Sequence, residues 1–236
     1  MKTVPIRVAW LGEQDCRDCA VRGSALFAGL QELDFGRLHQ PIEDIALEPQ
    51  AVLYRTGERG RSVFTLRQGL VKLVKYLPDG TQRIVRLLRH GDTLGLEVLV
   101  NQPYPHDAIA LTAGTVCAIP ATLVERLSRE QPQLHQELMA RWQRALADAD
   151  HWLAEFSTGT ARQRVARLLL RLHEHAPEKP VTLFSREDLG AMLALTTETV
   201  SRTIAELRRA QLIQELRQNH LLLNHLELRR IAEGSV

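Results

Sequence analysis

Between residues 42 and 119, short apolar runs alternate with turn signals. The runs AVLY, SVFTL, LVKLVKYL, QRIVRLL, DAIAL and TVCAI are separated by Gly57, Gly60, Gly69, Asp79-Gly80, Gly91 and Gly95. Gly69, Gly80 and Gly91 fall eleven residues apart. Strand-length runs with regular turn chemistry between them predict an all-β sandwich or barrel. The PDG at 78–80 predicts a hairpin. The period then changes. From about 121 to 157 the chain reads as helix, with Pro132 breaking it or starting its longer part. Beyond Pro132 apolar residues fall at Leu138, Trp142, Leu146, Ala149, Leu153 and Phe156. Steps of 4, 4, 3, 4 and 3 are those of a coiled-coil-like seam. Either the β domain of the same chain or a second copy must cover that edge. A helix standing between two domains favours the second copy.

After STGT at 157–160, a hinge-like loop, ARQRVARLLLRLHEHA reads as a second amphipathic helix ended by PEKP. Ser185 is a good N-cap, with Asp188 three residues on, and REDLGAMLA follows as helix. Leu195 and Thr196 make a break. Thr196 or Thr197 caps again, and a second short helix runs to about Arg209. Leu189, Leu193, Val200, Ile204 and Leu207 face inward in this reading. Two capped helices with a tight turn and one shared core match the DNA-binding helix-turn-helix. An ordinary helical hairpin in a core is the competing reading. The segment IQELRQNHLLLNH reads as a hairpin in the position of a wing, and LELRRIAEG as a terminal helix.

The outward face decides between the two. Glu198, Ser201 and Arg202 stand at i, i+3 and i+4, on one side of the second helix near its N-terminal end. A glutamate repels phosphate, but it accepts a hydrogen bond from cytosine N4, while arginine grips guanine O6 and N7. Serine adds an adaptable contact, and Arg202 can orient and neutralise the acid. An acid beside an arginine therefore points to sequence readout. Thr197, which opens this helix, joins the candidate DNA contacts. Arg162, Arg164, Arg186, Arg208 and Arg209 are candidates for the DNA backbone, against the reading of each as a solvated surface charge.

Composition narrows the rest. The 236 residues are 44% hydrophobic and 25% charged with a net charge of +2, so any nucleic-acid surface is local. From Ala161 onward there are twelve Arg and Lys against nine Asp and Glu, which permits DNA binding without arguing for it. No stretch approaches eighteen apolar residues, and the N-terminus MKTVPIRVAWLG does not read as a signal peptide; a soluble cytoplasmic protein without a membrane partner is expected. Cys16, Cys19 and Cys117 are a poor disulfide framework. No GxSxG, P-loop, GxGxxG or HExxH is present, so no enzyme is expected.

The order of a glycine-punctuated β domain, a seam helix and a winged helix-turn-helix resembles the CRP/FNR superfamily of bacterial transcription regulators, over about residues 15–232. The most specific part is LTTETVSR, which resembles the FNR recognition helix with its Glu-x-x-Ser-Arg. The resemblance implies an α+β chain: a cyclic-nucleotide-binding-like β-roll (a jelly roll) with a cysteine-bearing N-terminal segment at 1–120, a dimerisation helix at 121–157, and a winged helix-turn-helix at 158–236. It implies a homodimer on double-stranded DNA, reading an inverted repeat with half-sites resembling TTGAT, that recruits or blocks RNA polymerase.

The resemblance also frames the signal. The cyclic-AMP branch holds the cyclic phosphate with an Arg-Ser pair. Here GDTLGLEVLVNQPYPHDAIAL keeps Glu97, one place displaced, and has no such pair, so cyclic AMP is not expected. CRDC and TVCAIP resemble the FNR branch's ligands to a [4Fe–4S] cluster, which makes Cys16, Cys19 and Cys117 candidate cofactor and metal ligands. A further N-terminal cysteine expected near Ala25 is missing, and such a cube takes four ligands. Asp15, Asp18, a histidine or an exogenous group would complete it. A thiol–disulfide switch of Cys16 and Cys19, a haem sensor using His90 or His106, and a small-ligand module without a cluster stay open.

Overall fold

The computed structural model describes residues 2–5, 41–174, 180–217 and 219–234. The described chain forms two compact units, Met1–Lys75 with Arg86–Ala147 and Tyr76–Val85 with Asp148–Val236. Cys16, Cys19 and the CRDC motif lie outside the described residues, as does SALFAGLQELDFGRLH at 24–39, for which the sequence alone predicts a short helix.

The β-type runs form strands. They are β1 (Lys2–Pro5), β2 (Pro41–Leu47), β3 (Val52–Tyr54), β4 (Ser62–Gln68), β5 (Val71–Tyr76), β6 (Gln82–Leu88), β7 (Thr93–Leu94), β8 (Asp107–Ala110) and β9 (Gly114–Pro120), with a 3-10 turn at Leu96–Val100. One sheet has the order β1-β2-β9-β4-β7, the other β3-β8-β5-β6. The described pairs are antiparallel, and the β4–β9 register sets Phe64 opposite Ala118 and Thr65 opposite Cys117. Inward residues such as Val63, Leu66, Val71, Val74, Ala108 and Val116 are fully buried; each large one contributes about 1.5–3 kcal/mol relative to exposure. The glycines spaced by eleven have a conformational reason. Gly69, Gly80 and Gly91 all have positive φ, of 87°, 81° and 88°, a region costly for any residue with a Cβ.

Pro132 does start the longer helix. Helix α1 (Ala121–Glu130) ends before it and α2 (Pro132–Phe156) begins on it, as its fixed φ and missing N–H allow. Leu138 and Phe156, the ends of the apolar stripe, are buried within their own chain. Its middle is not: Leu146 and Leu153 are each 65% exposed.

The C-terminal elements are α3 (Ala161–Glu174), β10 (Val181–Thr182), α4 (Arg186–Leu193), α5 (Thr197–Arg209), β11 (Ile213–Arg217), β12 (His220–Leu223) and α6 (His225–Glu233). The three strands form one sheet in the order β10-β12-β11. The inward residues expected from the pattern, Leu189, Leu193, Val200, Ile204 and Leu207, are all buried. Among the described residues no helix is long and apolar enough to cross a membrane.

Candidate nucleic-acid interface and sensing domain

Two caps and a tight turn fix the helix pair. Ser185 Oγ accepts from the Asp188 N–H at 3.0 Å and donates to Asp188 Oδ2 at 2.9 Å, so the cap hydroxyl and the acid three residues on hold each other. Helix α4 ends at Ala194, in the left-handed region with φ 53°. The Leu195 N–H donates to the Gly190 carbonyl at 3.0 Å, and a Cβ on Gly190 would stand 2.6 Å from the Leu195 oxygen. Only glycine lets the turn fold this close. Thr196 then caps α5 by accepting from the Thr199 N–H, and Thr197 is its first residue.

The outer face of α5 carries Thr197, Glu198, Ser201 and Arg202, all exposed, followed one turn on by Ala205 and then Arg209. Glu198 lies in the first turn, where the helix dipole favours an acid. The sequence suggested that Arg202 orients Glu198. Among the described residues no ion pair joins them; in both, the charged head group remains available to an outside partner.

The arginines divide. Arg162 and Arg209 are exposed. Arg164 is structural: its Nη1 donates to the Leu193 carbonyl at 2.6 Å, tying α3 to the end of α4. Arg208 reaches Glu215 on β11 at 2.6 Å and so joins the last turn of α5 to the wing. Arg186 is half-buried, and its Nη1 has no hydrogen-bond partner. Burial and then the Arg208 cation lower its pKa, with Glu215 opposing. The loop read as a hinge is pinned. Arg167 Nη1 donates to the Glu155 and Thr158 carbonyls and its Nε to the Ala232 carbonyl, while Thr160 and Gln163 cap each other. Nothing in the spacing of Arg167 marked it for this role; it reads as one more cation on an amphipathic helix.

In the β-roll, Tyr54 and Tyr104 stack with centroids 3.9 Å apart, beside Phe64. Tyr104 donates its hydroxyl to the Ser62 carbonyl at 2.8 Å. Close by, Glu97 Oε2 and His106 Nδ1 are buried with no hydrogen-bond partner. Burial, then Lys75 and Arg86, push the His106 pKa down to about 4, so the ring is neutral at pH 7. Asp107 points elsewhere and accepts from the Thr56 N–H at 2.7 Å. The other histidine considered for haem, His90, is exposed and its Nδ1 engages the Arg67 carbonyl at 2.7 Å.

Cys117 is half-exposed on β9, with its Sγ 3.4 Å from Asp44 Oδ1; Asp44 in turn pairs with Arg67 at 2.7 Å. Among the described residues no group of three His, Cys, Asp or Glu could hold a metal ion. The described part alone therefore does not make up a cluster site, and it supplies one thiol and a neighbouring carboxylate toward one.

Comparison with known proteins supplies the context. Residues 45–131 match the cyclic nucleotide-binding domain family and residues 163–231 the Crp-like helix-turn-helix domain family. The fumarate and nitrate reduction regulatory protein of Vibrio cholerae is 26% identical over 92% of this chain and 90% of its own length. The transcriptional activator protein Anr of Pseudomonas aeruginosa is 28% identical over 98% of each. The structure of FixK2 from Bradyrhizobium japonicum superposes with a TM-score of 0.73 at 26% identity, covering 80% of this chain and 96% of that one.

Proposed function

The chain belongs to the CRP/FNR family of transcription regulators, and from that premise we propose that it acts as a homodimer whose two α5 helices read an inverted repeat in successive major grooves. The observation that carries the reading is the exposed face of α5, where Glu198, Ser201 and Arg202 stand together with no partner of their own among the described residues. Arginine hydrogen-bonds guanine O6 and N7, and glutamate accepts from cytosine N4. Thr197 lies at the same end, within reach of base edges. Arg162 and Arg209 are exposed cations free to meet phosphates, Arg186 near Arg208 is a further candidate, and phosphate contacts set register without reading sequence.

The exposed middle of α2, Leu146 and Leu153, is the surface for the second copy. Helix seams of this kind bury apolar residues at alternating steps of three and four. A signal in the β-roll then changes how the two α2 helices pack and so the spacing of the two α5 helices, and only one spacing fits half-sites one helical turn apart. Arg167 makes the elbow at 157–160 a stiff lever in this scheme. The protein works in the cytoplasm, where it recruits or blocks RNA polymerase at the promoter.

For the signal, the N-terminal CRDC and the similarity to the fumarate and nitrate reduction regulatory protein support an iron–sulfur cluster held by Cys16, Cys19 and Cys117. When bound, such a cluster supplies oxygen-sensitive redox chemistry. Cys117, half-exposed beside Asp44, offers a thiol to it from the β-roll.

The test is binding of the purified protein to a duplex with two TTGAT half-sites. Arg202→Ala is expected to lose about 1–3 kcal/mol per half-site on this duplex and to lose its preference over a scrambled duplex. Retention of full sequence preference would remove α5 as the reading element. Anaerobic purification tests the cluster separately: a broad visible absorption that bleaches in air is expected, and a colourless protein contradicts it.

A further inference from the structure

The strands of the five-stranded sheet set polar side chains in one line across it. Asp44 on β2 stands opposite Cys117 on β9, Cys117 opposite Thr65 on β4, and Thr65 opposite Thr93 on β7. Directly paired positions share a face, with Cβ atoms about 4.5–5.5 Å apart. Two contacts agree with the shared face. Cys117 Sγ lies 3.4 Å from Asp44 Oδ1. Arg67, two positions along β4 from Thr65, reaches Asp44 at 2.7 Å. The line does not stop at the sheet. Arg141 of α2, itself buried, donates from Nη1 to Thr93 Oγ1 at 2.9 Å. The row therefore runs from a half-exposed thiol to the helix whose middle carries the exposed Leu146 and Leu153.

The row is open at one place. Thr65 is 2% exposed and its Oγ1 has no hydrogen-bond partner, although buried hydroxyls are ordinarily bonded. Its neighbours give that hydroxyl a use. A thiol is a weak acceptor, and the Cys117 thiol donates to Asp44. A thiolate held by a metal has lost that proton and offers its lone pairs. At the other end arginine can only donate, so Thr93 Oγ1 accepts from Arg141 and keeps its own hydrogen to give. We propose that Thr65, Thr93 and Arg141 are positioning residues that couple a metal-bound Cys117 thiolate to the placement of α2. With an acceptor sulfur in place the hydrogens run one way, from Arg141 to Thr93, from Thr93 to Thr65 and from Thr65 to Cys117. Each bond polarises and strengthens the next. Closing the row holds Arg141 more firmly on β7, and with it the turn of α2 that carries Trp142 of the apolar stripe. The proposal deepens the reading of Cys117 as a sensing thiol and rests on it, but it needs neither Cys16 nor Cys19.

The test uses the full-length protein carrying Cys16→Ser and Cys19→Ser, in which Cys117 is the remaining thiol, with ethylmercury chloride as the probe. The thiol proton and the chloride leave as HCl, a sulfur–mercury bond forms, and the product is a metal-bound thiolate made without a cluster. Hydrogen exchange over residues 134–147, read by mass spectrometry, reports on α2. Ethylmercury is expected to slow exchange there by about threefold or more. Thr65→Val and Thr93→Val are each expected to abolish the slowing, while Thr65→Ser, which keeps the hydroxyl, retains it. Without the probe Thr65→Val gives up no hydrogen bond, so its Tm should equal or exceed that of the parent, which separates lost coupling from lost folding. A sulfur that takes up no ethylmercury, an absence of slowing in the parent, or slowing that survives in either valine variant overturns the proposal. Loss of the slowing in Thr65→Ser as well would assign the effect to packing and overturn it too. A colourless protein from anaerobic purification would remove the cluster and leave this result untouched, so the two readings fail separately.

Discussion

Glu198 and Arg202 carry opposite charges four residues apart and remain unpaired among the described residues, so in the proposed readout each acts as a separate reader. Glu198→Ala is therefore expected to relax preference at one base pair while leaving the guanine preference in place, a pattern that binding-site selection with the variant resolves; loss of all preference would mean that the acid is needed to fold the face. His106 makes a second prediction at this scale. Its pKa of about 4 in the folded chain lies below the ordinary 6.5, so between those values the unfolded chain binds more protons. Stability attributable to this ring is then full above about pH 6.5 and falls as the pH drops toward 4. Thermal melts from pH 7 to 5 are expected to show a decline that His106→Gln reduces. An unchanged slope in the variant would mean that the ring is solvated.

At the scale of elements, the pattern of the sequence was informative where period and turn chemistry act locally. Gly69, Gly80 and Gly91 marked the strand ends because each sits at positive φ. The α4–α5 pair was legible because its caps and its inward residues recur at fixed spacing. Roles set by contacts distant in sequence were not legible. Tyr54 meets Tyr104 fifty residues on, Arg164 meets the Leu193 carbonyl and Arg167 the Ala232 carbonyl, and no local spacing encodes such meetings. A glycine inside a helix ordinarily costs stability, but Gly190 is what lets the turn close. Gly190→Ala is expected to cost about 1–3 kcal/mol through overpacking against the Leu195 oxygen, read as a lower denaturation midpoint together with weaker DNA binding. A variant of unchanged stability would show that the turn has room. Arg167→Met frees three carbonyls from one guanidinium, and a loss of about 1–3 kcal/mol is expected; faster proteolysis at the 157–160 loop would report it.

In the proposed scheme the whole molecule works with a second copy. Leu146 and Leu153, each 65% exposed, are expected to be buried when two α2 helices pair. Leu146→Asp with Leu153→Asp should yield a monomer in sedimentation at concentrations where the unaltered protein is a dimer, and a dimer that persists would place the interface elsewhere. A monomer would also lose palindrome binding while each unit stays folded, since α5 and its core lie within a single chain.

The most direct test of sequence readout by α5 sets the protein against the base it is thought to read. Fluorescence anisotropy would compare two palindromic duplexes, one with TTGAT half-sites and one with the G·C pair of each half-site changed to A·T, for the unaltered protein and for Arg202→Ala. The unaltered protein should prefer the first by about 1–3 kcal/mol per half-site, and Arg202→Ala should bind the two alike. Equal binding of both duplexes by the unaltered protein, or a preference that survives in Arg202→Ala, would contradict the account.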